Sequence, residues 1–407
     1  MDRPLSDLVV LDLTRALAGP IVGRLLSDLG ARVIKIEPPD GDLTRATIPR
    51  VDGMSAYFTQ YNAGKQCVSM DLGTEAGRDL LLRMVEHADV VLENYRPGVM
   101  DRLGLGYEVL AARNPRIILT SVSGWGHGNS RSDQGAYASA IHAEAGFTEI
   151  VARRRGDAVP RNDPPSHSDV YGGMHTLAAL LAAVHMRDRT GKGQSVEVSM
   201  AESTLVANDL VSSQLTGEDP MVGFKGGQNW SPIFRLANGR FVNVTIDSTT
   251  NAAFAIWCRA MNRPELADDP RFAEIETRVA NRAALEAEIA TWVVQFDSAE
   301  ALEKAIGVST VLCAEVRTPA ELAATPWAAE RGAFVTVDTG RGEMVTVPQS
   351  PWRFSDADSG VVPYVGFRGD DNRAVLAELA GASEAEIAAL EAEGVVSARP
   401  PRWREGS

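Results

Sequence analysis

Cysteine is scarce in this chain. Cys67, Cys258 and Cys313 are the only three in 407 residues, and they lie far apart. No CxxC pair or Cys/His cluster suggests a metal site, and no even-numbered framework suggests secretion. Excess positive charge is lacking as well. The 40 Lys+Arg face 54 Asp+Glu, a formal net charge of -14. That balance excludes a general nucleic-acid binder, which needs net positive surface to displace counterions. It leaves room for a small anionic ligand, which a few local cations can hold. Long apolar runs are missing too. The longest, Thr176–Val184, is about half of what crosses a bilayer and reads as a buried helix. The N-terminus, Met1-Asp2-Arg3-Pro4, leads straight into an apolar strand with no signal-peptide layout. A cytoplasmic protein without membrane association is expected.

Several catalytic signatures are also absent. The turn after the first strand reads Thr14-Arg15-Ala16-Leu17-Ala18-Gly19-Pro20 rather than GxGxxG. Gly104-Leu105-Gly106 lacks a third glycine. GxxxxGK[ST], HExxH and GxSxG do not occur, so dinucleotide, Walker-type, zinc-protease and α/β-hydrolase readings lose their usual markers. The six histidines show no ligand spacing, and no metal is expected.

What is present is alternation. Val9–Leu13, Arg32–Ile36, Val90–Glu93 and Ile117–Thr120 read as strands. Pro20–Leu29, Glu75–His87 and Tyr107–Ala112 read as helices between them. Such alternation predicts right-handed crossovers and a Rossmann-like parallel sheet with ligands beyond the strands' carboxyl ends. Residues Gly124–Pro165 read as irregular, followed by a helix over Val170–Arg187, a strand over Ser195–Met200 and a helix from Ala201. The composition shifts near residue 215. The division expected is a large α/β domain over 1–215, a smaller α+β domain over 225–325, and a segment 326–407 returning to the large domain.

Four places could carry chemistry. Arg15 stands at the end of strand one, as an anion contact or as a solvated arginine. Asn94-Tyr95-Arg96-Pro97-Gly98 follows the Val90–Glu93 strand, and with Arg102 it brings positive charge to the ligand edge. Ser168-Asp169 precedes the long helix. Asp169 is either a helix cap or a carboxylate kept ionised at the positive end of the helix. Gly226-Gly227-Gln228 is either a closing cover or an interdomain linker.

Segments in this order resemble the class III CoA-transferases, the family of formyl-CoA transferase and carnitine CoA-transferase. The α-methylacyl-CoA racemases share that fold. The resemblance runs through Leu5–Pro20 (LSDLVVLDLTRALAGP), Leu29–Glu37 (LGARVIKIE), Asp89–Gly104 (DVVLENYRPGVMDRLG) and Pro115–Trp125 (PRIILTSVSGW). It continues through Ser168–His175 (SDVYGGMH), Thr190–Met200 (TGKGQSVEVSM) and Pro351–Ser355 (PWRFS). It implies an interlocked homodimer and, in place of a tightly bound cofactor, coenzyme A or acyl-CoA as a substrate exchanged with a carboxylic acid. Asp169 becomes the implied nucleophile, and Gly226 and Gly227 the cover that excludes water. CoA is implied to lie against Arg15, Ala16, Ala18, Met70, Asp71, Leu72, Asn94, Tyr95, Arg96, Arg102 and Tyr137.

Departures accompany the match. Leu17 replaces a glutamine that serves oxalate chemistry in formyl-CoA transferase, which argues against formate and oxalate. Gly135 stands at a lysine position. The racemases' Gly-His-Asp segment is missing, with Gln134–Ser139 in its place and His142 a few residues on. A 2-methylacyl-CoA racemase using Asp169 and His142 is the alternative enzyme. A non-catalytic CoA- or nucleotide-binding protein is the alternative outside catalysis.

Overall fold

The computed structural model describes residues 2–217, 230–340 and 342–398. The chain forms two compact units, residues 1–208 with 326–407 and residues 209–325.

In the first unit six strands form one parallel sheet. They are β1 (Val9–Asp12), β2 (Arg32–Glu37), β5 (Gln66–Ser69), β6 (Val90–Glu93), β7 (Ile118–Ser123) and β8 (Ser195–Ser199). A short hairpin, β3 (Arg50–Val51) with β4 (Met54–Ser55), stands apart from it. The sheet order is β5-β2-β1-β6-β7-β8. The chain winds outward from β1 through β2 to β5, then returns to the other side of β1 with β6. This is the doubly wound order, and it reverses between β1 and β6, where such sheets form a crevice.

Alternation along the strands feeds two cores. Leu11, Ile34 and Val68 face one side, against Leu80, Leu81 and Met84 of α3 (Glu75–Val85) and Val375 and Leu376 of the tail. Val10, Val33, Val90 and Ile118 face the other, against α1 (Pro20–Asp28) and α8 (His167–Thr190). Between them run α2 (Ala56–Asn62), α4 (Val99–Arg102), α5 (Tyr107–Arg113), α6 (Ala138–Glu144) and α7 (Phe147–Arg155), with α9 (Met200–Ala207) after β8. Pro20 opens α1 with a preset φ, and the Thr74 hydroxyl caps α3 by accepting from Gly77 N–H at 3.1 Å. The tail adds the hairpin of β12 (Phe334–Asp338) and β13 (Met344–Pro348), and the helix Asn372–Leu379.

The second unit pairs β9 (Ile233–Arg235), β10 (Phe241–Val244) and β11 (Cys313–Glu315) antiparallel, in the order β11-β10-β9. Trp257 is fully buried at the centre of its own core.

Two expectations need correcting, and one strand goes unread in the sequence. The segment read as irregular holds α6 and α7. Turn residues dominate its composition, but Ile141 and His142 are buried, and tertiary packing orders the helix around them. The helix α8 starts at His167 rather than Val170, so Asp169 sits inside the first turn and is not a cap. The edge strand β5 has four residues and no extended alternation to reveal it.

Candidate active site

The carboxyl ends of five adjacent strands open onto a cleft of about 640 Å³. Arg15, Ala16 and Ala18 come from the turn after β1. Ile36 and Glu37 end β2, Met70 to Gly73 follow β5, Asn94 to Pro97 follow β6, and Val122 to Gly124 end β7. The first turn of α8 adds Asp169. The cleft therefore lies at the topological switch point, where helix N-termini and loop N–H groups favour anions.

Ten of the eleven residues expected to hold CoA line this cleft; Arg102 does not. Arg102 is exposed on α4, near Gly98. Gly226 and Gly227 lie outside the described residues.

The Arg15 and Asn94 turns are tied together. Arg15 N–H donates to Asn94 Oδ1 at 2.8 Å, and Asn94 Nδ2 donates to Arg15 O at 2.8 Å. The Arg15 guanidinium stands 5.4 Å from the Tyr95 ring centroid. Ala16 has φ +67°, in the left-handed region that costs a residue with a Cβ about 1 kcal/mol or more. Buried charges hold the turn in that shape. Lys35 Nζ donates to Thr14 O and pairs with Asp42 at 2.9 Å. Lys65 Nζ pairs with Asp12 at 2.7 Å and donates to Pro20 O at 2.9 Å. Both ends of the segment Thr14–Pro20 are thus pinned from below by lysines with no solvent exposure.

These lysines were missed in the sequence. The signal for Lys35 was a lone charge inside the apolar run Val33–Ile36, since a buried parallel strand tolerates a charge only when it is partnered. Glu93 was missed as well. It accepts from the Ser121 hydroxyl and from Tyr95 N–H at 2.7 Å, and burial pushes its carboxyl up to about 7. It orients the turn that carries Asn94 and Arg96.

Gly135 and Arg96 share one place. A Cβ at 135 would stand 2.9 Å from Arg96 Nη2. The absence of a side chain at Gly135 makes room for the Arg96 guanidinium.

Asp169 is brought to the cleft by close packing. A Cβ on Gly173, one turn further along α8, would lie 2.4 Å from Ile21 Cγ2 and 2.9 Å from Ala18 O. Glycine lets the helix approach the β1 turn, where the Ala18 N–H is near enough to the Asp169 carboxylate to favour its charged form. Burial pushes the carboxyl up to about 6, while the N–H groups of Ala18 and of Asp169 itself pull the other way. The result is a carboxylate more basic than an exposed aspartate. Among the described residues no group of three His, Cys, Asp or Glu side chains could hold a metal, and no helix is long and apolar enough to cross a membrane.

The structure thus combines a doubly wound sheet, a cleft at its switch point and a carboxylate of raised basicity at a helix start. Comparison with known proteins supplies the class. Residues 5–367 match CoA-transferase family III, and the chain belongs to that family. It is 34% identical over 394 residues to the succinyl-CoA:mesaconate CoA-transferase of Haloarcula hispanica, covering 93% of this chain and 96% of that one. It is 40% identical over 290 residues to the acetyl-CoA:oxalate CoA-transferase of Acetobacter aceti, covering 70% and 73%. A solved CAIB/BAIF family protein from Brucella suis superposes with a TM-score of 0.80 at 32% identity, covering 93% of this chain and all of that one. The chain is a class III CoA-transferase, and CoA thioesters are its substrates.

Proposed function

We propose that the chain moves CoA from an acyl-CoA donor to a carboxylic acid acceptor through covalent intermediates on Asp169. The position of that carboxylate carries the reading: it is raised in basicity by burial and opens on the cleft at the switch point.

One Asp169 oxygen attacks the acyl carbonyl and forms a mixed anhydride as CoA thiolate leaves. The thiolate then attacks the Asp169 carbonyl, forming an aspartyl-CoA thioester and releasing the donor acid with one Asp169 oxygen. The acceptor carboxylate attacks this thioester and expels the thiolate. The thiolate attacks the acceptor's acyl carbon, giving the new acyl-CoA and restoring Asp169. Splitting one exchange into such steps lowers each barrier. Ala18 N–H is placed to steady negative charge at Asp169 between steps.

CoA lies along the cleft in this reading, with its phosphates near Arg15 and Arg96, whose guanidinium groups suit phosphate. Tyr137, exposed at the rim, has a place beside it. Gly226 and Gly227 keep the role that the resemblance gives them, exclusion of water from the anhydrides. Arg102 is assigned to the outer phosphate contacts.

The working protein in this reading is an interlocked homodimer. Val159 and Val206 of the first unit are each 73% exposed, apolar surface of the kind a second copy covers. Leu17 is buried beneath the cleft and offers no amide to a small dicarboxylate, which favours acids larger than oxalate. The acids named for the relatives supply the first probes.

The racemase alternative needs a second acid/base group opposite Asp169. His142 does not line the cleft, and its Nε2 is occupied by Ser168 N–H at 3.1 Å. The test is incubation with succinyl-CoA or acetyl-CoA, hydroxylamine trapping and mass spectrometry. An adduct on Asp169, absent in Asp169→Ala, supports transfer. Deuterium exchange at Cα of a 2-methylacyl-CoA without an adduct overturns it.

A further inference from the structure

The first turn of α8 leaves its N–H groups without helical partners, as every helix start does. Here two, those of His167 and Ser168, have acceptors outside the helical ladder. His167 N–H donates to Pro165 O at 3.0 Å, and the helical i→i−4 ladder begins with Val170 N–H to Ser166 O at 3.2 Å. Asp169 N–H lies beside its own carboxylate and favours the charged form. The N-cap residue, Ser166, contributes no side-chain bond. Ser168 N–H goes to another helix, donating to His142 Nε2 of α6 at 3.1 Å.

His142 is buried to within 1%. Because Nε2 accepts, the ring is neutral and Nδ1 carries the hydrogen. That Nδ1 has no hydrogen-bond partner among the described residues. An unsatisfied buried donor is costly, so the ring is held in an orientation that favours Ser168 over its own second nitrogen. The ring packs 5.2 Å from Phe147 of α7 and 5.8 Å from His167 of α8. On the other side of Ser168, its hydroxyl bonds that of Thr204 on α9 at 2.8 Å. Residues from α6 and α9 thus hold the one residue that precedes Asp169.

We propose that His142 is a positioning residue for the transfer reaction, capping Ser168 N–H so that this donor stays off the Asp169 carboxylate. The proposal rests on the reading of Asp169 as nucleophile. A carboxylate at the third position of a helix readily accepts from N–H groups of the same turn. Each added donor stabilises the anion and lowers its basicity. His142 occupies the Ser168 donor, and the backbone N–H groups that act on the Asp169 carboxylate are those of Ala18 and of Asp169 itself.

The groups that face the pair are few. His167 from α8 and Asp163 from the preceding loop act on His142, and burial with His167 holds its imidazole below the ordinary range. Asp169 is faced by Tyr57 and Tyr61 of α2, whose phenols burial keeps neutral.

The test compares His142→Leu, His142→Gln and His142→Asn in single-turnover formation of the hydroxylamine-trapped Asp169 adduct from succinyl-CoA, with CoA affinity measured alongside. Gln puts an acceptor where Nε2 stood, whereas Asn reaches only as far as Nδ1. His142→Leu and His142→Asn are expected to slow adduct formation about tenfold or more, with CoA affinity within about threefold of the parent. The acid limb of their pH–rate profiles moves below that of the parent. His142→Gln recovers the parent rate to within about threefold and its acid limb. Should Leu fail to fold, the contrast of Gln with Asn carries the test. A Leu or Asn variant with the parent rate and limb overturns the proposal, as does a Gln variant as slow as Asn. No adduct in the parent protein would instead overturn the nucleophile reading itself.

Discussion

Asn94 and Arg15 exchange two hydrogen bonds across the switch point: N–H to Oδ1 and Nδ2 to O, both at 2.8 Å. The amide side chain acts as a backbone mimic that joins two loops which meet nowhere else in sequence. Asn94→Ala removes both bonds and leaves the Arg15 N–H and carbonyl, at an exposed site, to solvent. The cost is expected at about 1–2 kcal/mol of stability. The apparent KM for acyl-CoA rises about tenfold with kcat little changed, as for a residue that shapes binding. Steady-state kinetics with succinyl-CoA and a urea titration measure the two effects.

Gly173 sets how closely α8 approaches the β1 turn. Gly173→Ala puts a methyl group 2.4 Å from Ile21 Cγ2, an overlap worth about 1–3 kcal/mol. Alanine recovers about 1 kcal/mol in helix preference, so the net loss of stability is small. Activity should fall much further, because the displaced helix draws Asp169 away from Ala18 N–H. Adduct formation at least about tenfold slower, in a protein that melts within a few degrees of the parent, is the expected outcome.

Lys65 is buried on Asp12, Asn62 and Pro20 O. Lys65→Met leaves the Asp12 charge uncompensated and should cost about 3–5 kcal/mol. Adding Asp12→Asn should recover part of that loss. If the double variant is no more stable than Lys65→Met, the buried charge is not the source of the penalty.

The fold was largely legible because the large unit is built from alternating strands and helices, and two of its turns carry recognisable residue strings. Val90–Glu93 was bounded correctly from its apolar residues alone. The rest depended on partners distant in sequence. His142 reads as a candidate base in the sequence, and the structure shows it spent on Ser168 N–H. Gly173 reads as one small residue among several, yet only its contact with Ile21 and Ala18 gives it meaning. From its position alone Asp169 reads more readily as a cap, since the bonds that start α8 come from Pro165 and His142 rather than from a local side chain.

The basicity of Asp169 fixes two pH effects. Its carboxyl is raised from 3.8 to about 6, so the folded state holds that proton more tightly than the unfolded one. Stability therefore falls as pH rises from about 4 to about 6, and the ionised carboxylate is a liability above that. Asp169→Asn should stabilise the protein at pH 8 by about 1–2 kcal/mol, after allowance for solvent screening. The gain should vanish below about pH 4. Adduct formation in the parent follows the opposite sense, falling as pH drops through about 6, because only the ionised carboxylate attacks. Melting curves of both proteins from pH 3 to pH 8 read the first effect, and pre-steady-state trapping reads the second.

The central claim is that Asp169 itself exchanges oxygen with the acids. In the proposed sequence each turnover sends one Asp169 oxygen out with the donor acid and brings one in from the acceptor. Turnover with succinyl-CoA and acceptor acids such as mesaconate, labelled with 18O in both carboxylate positions, should therefore place 18O in the peptide that contains Asp169. The peptide from Asp169→Asn should stay unlabelled. Acyl-CoA product formed at full rate while the Asp169 peptide keeps its original oxygens would contradict the account.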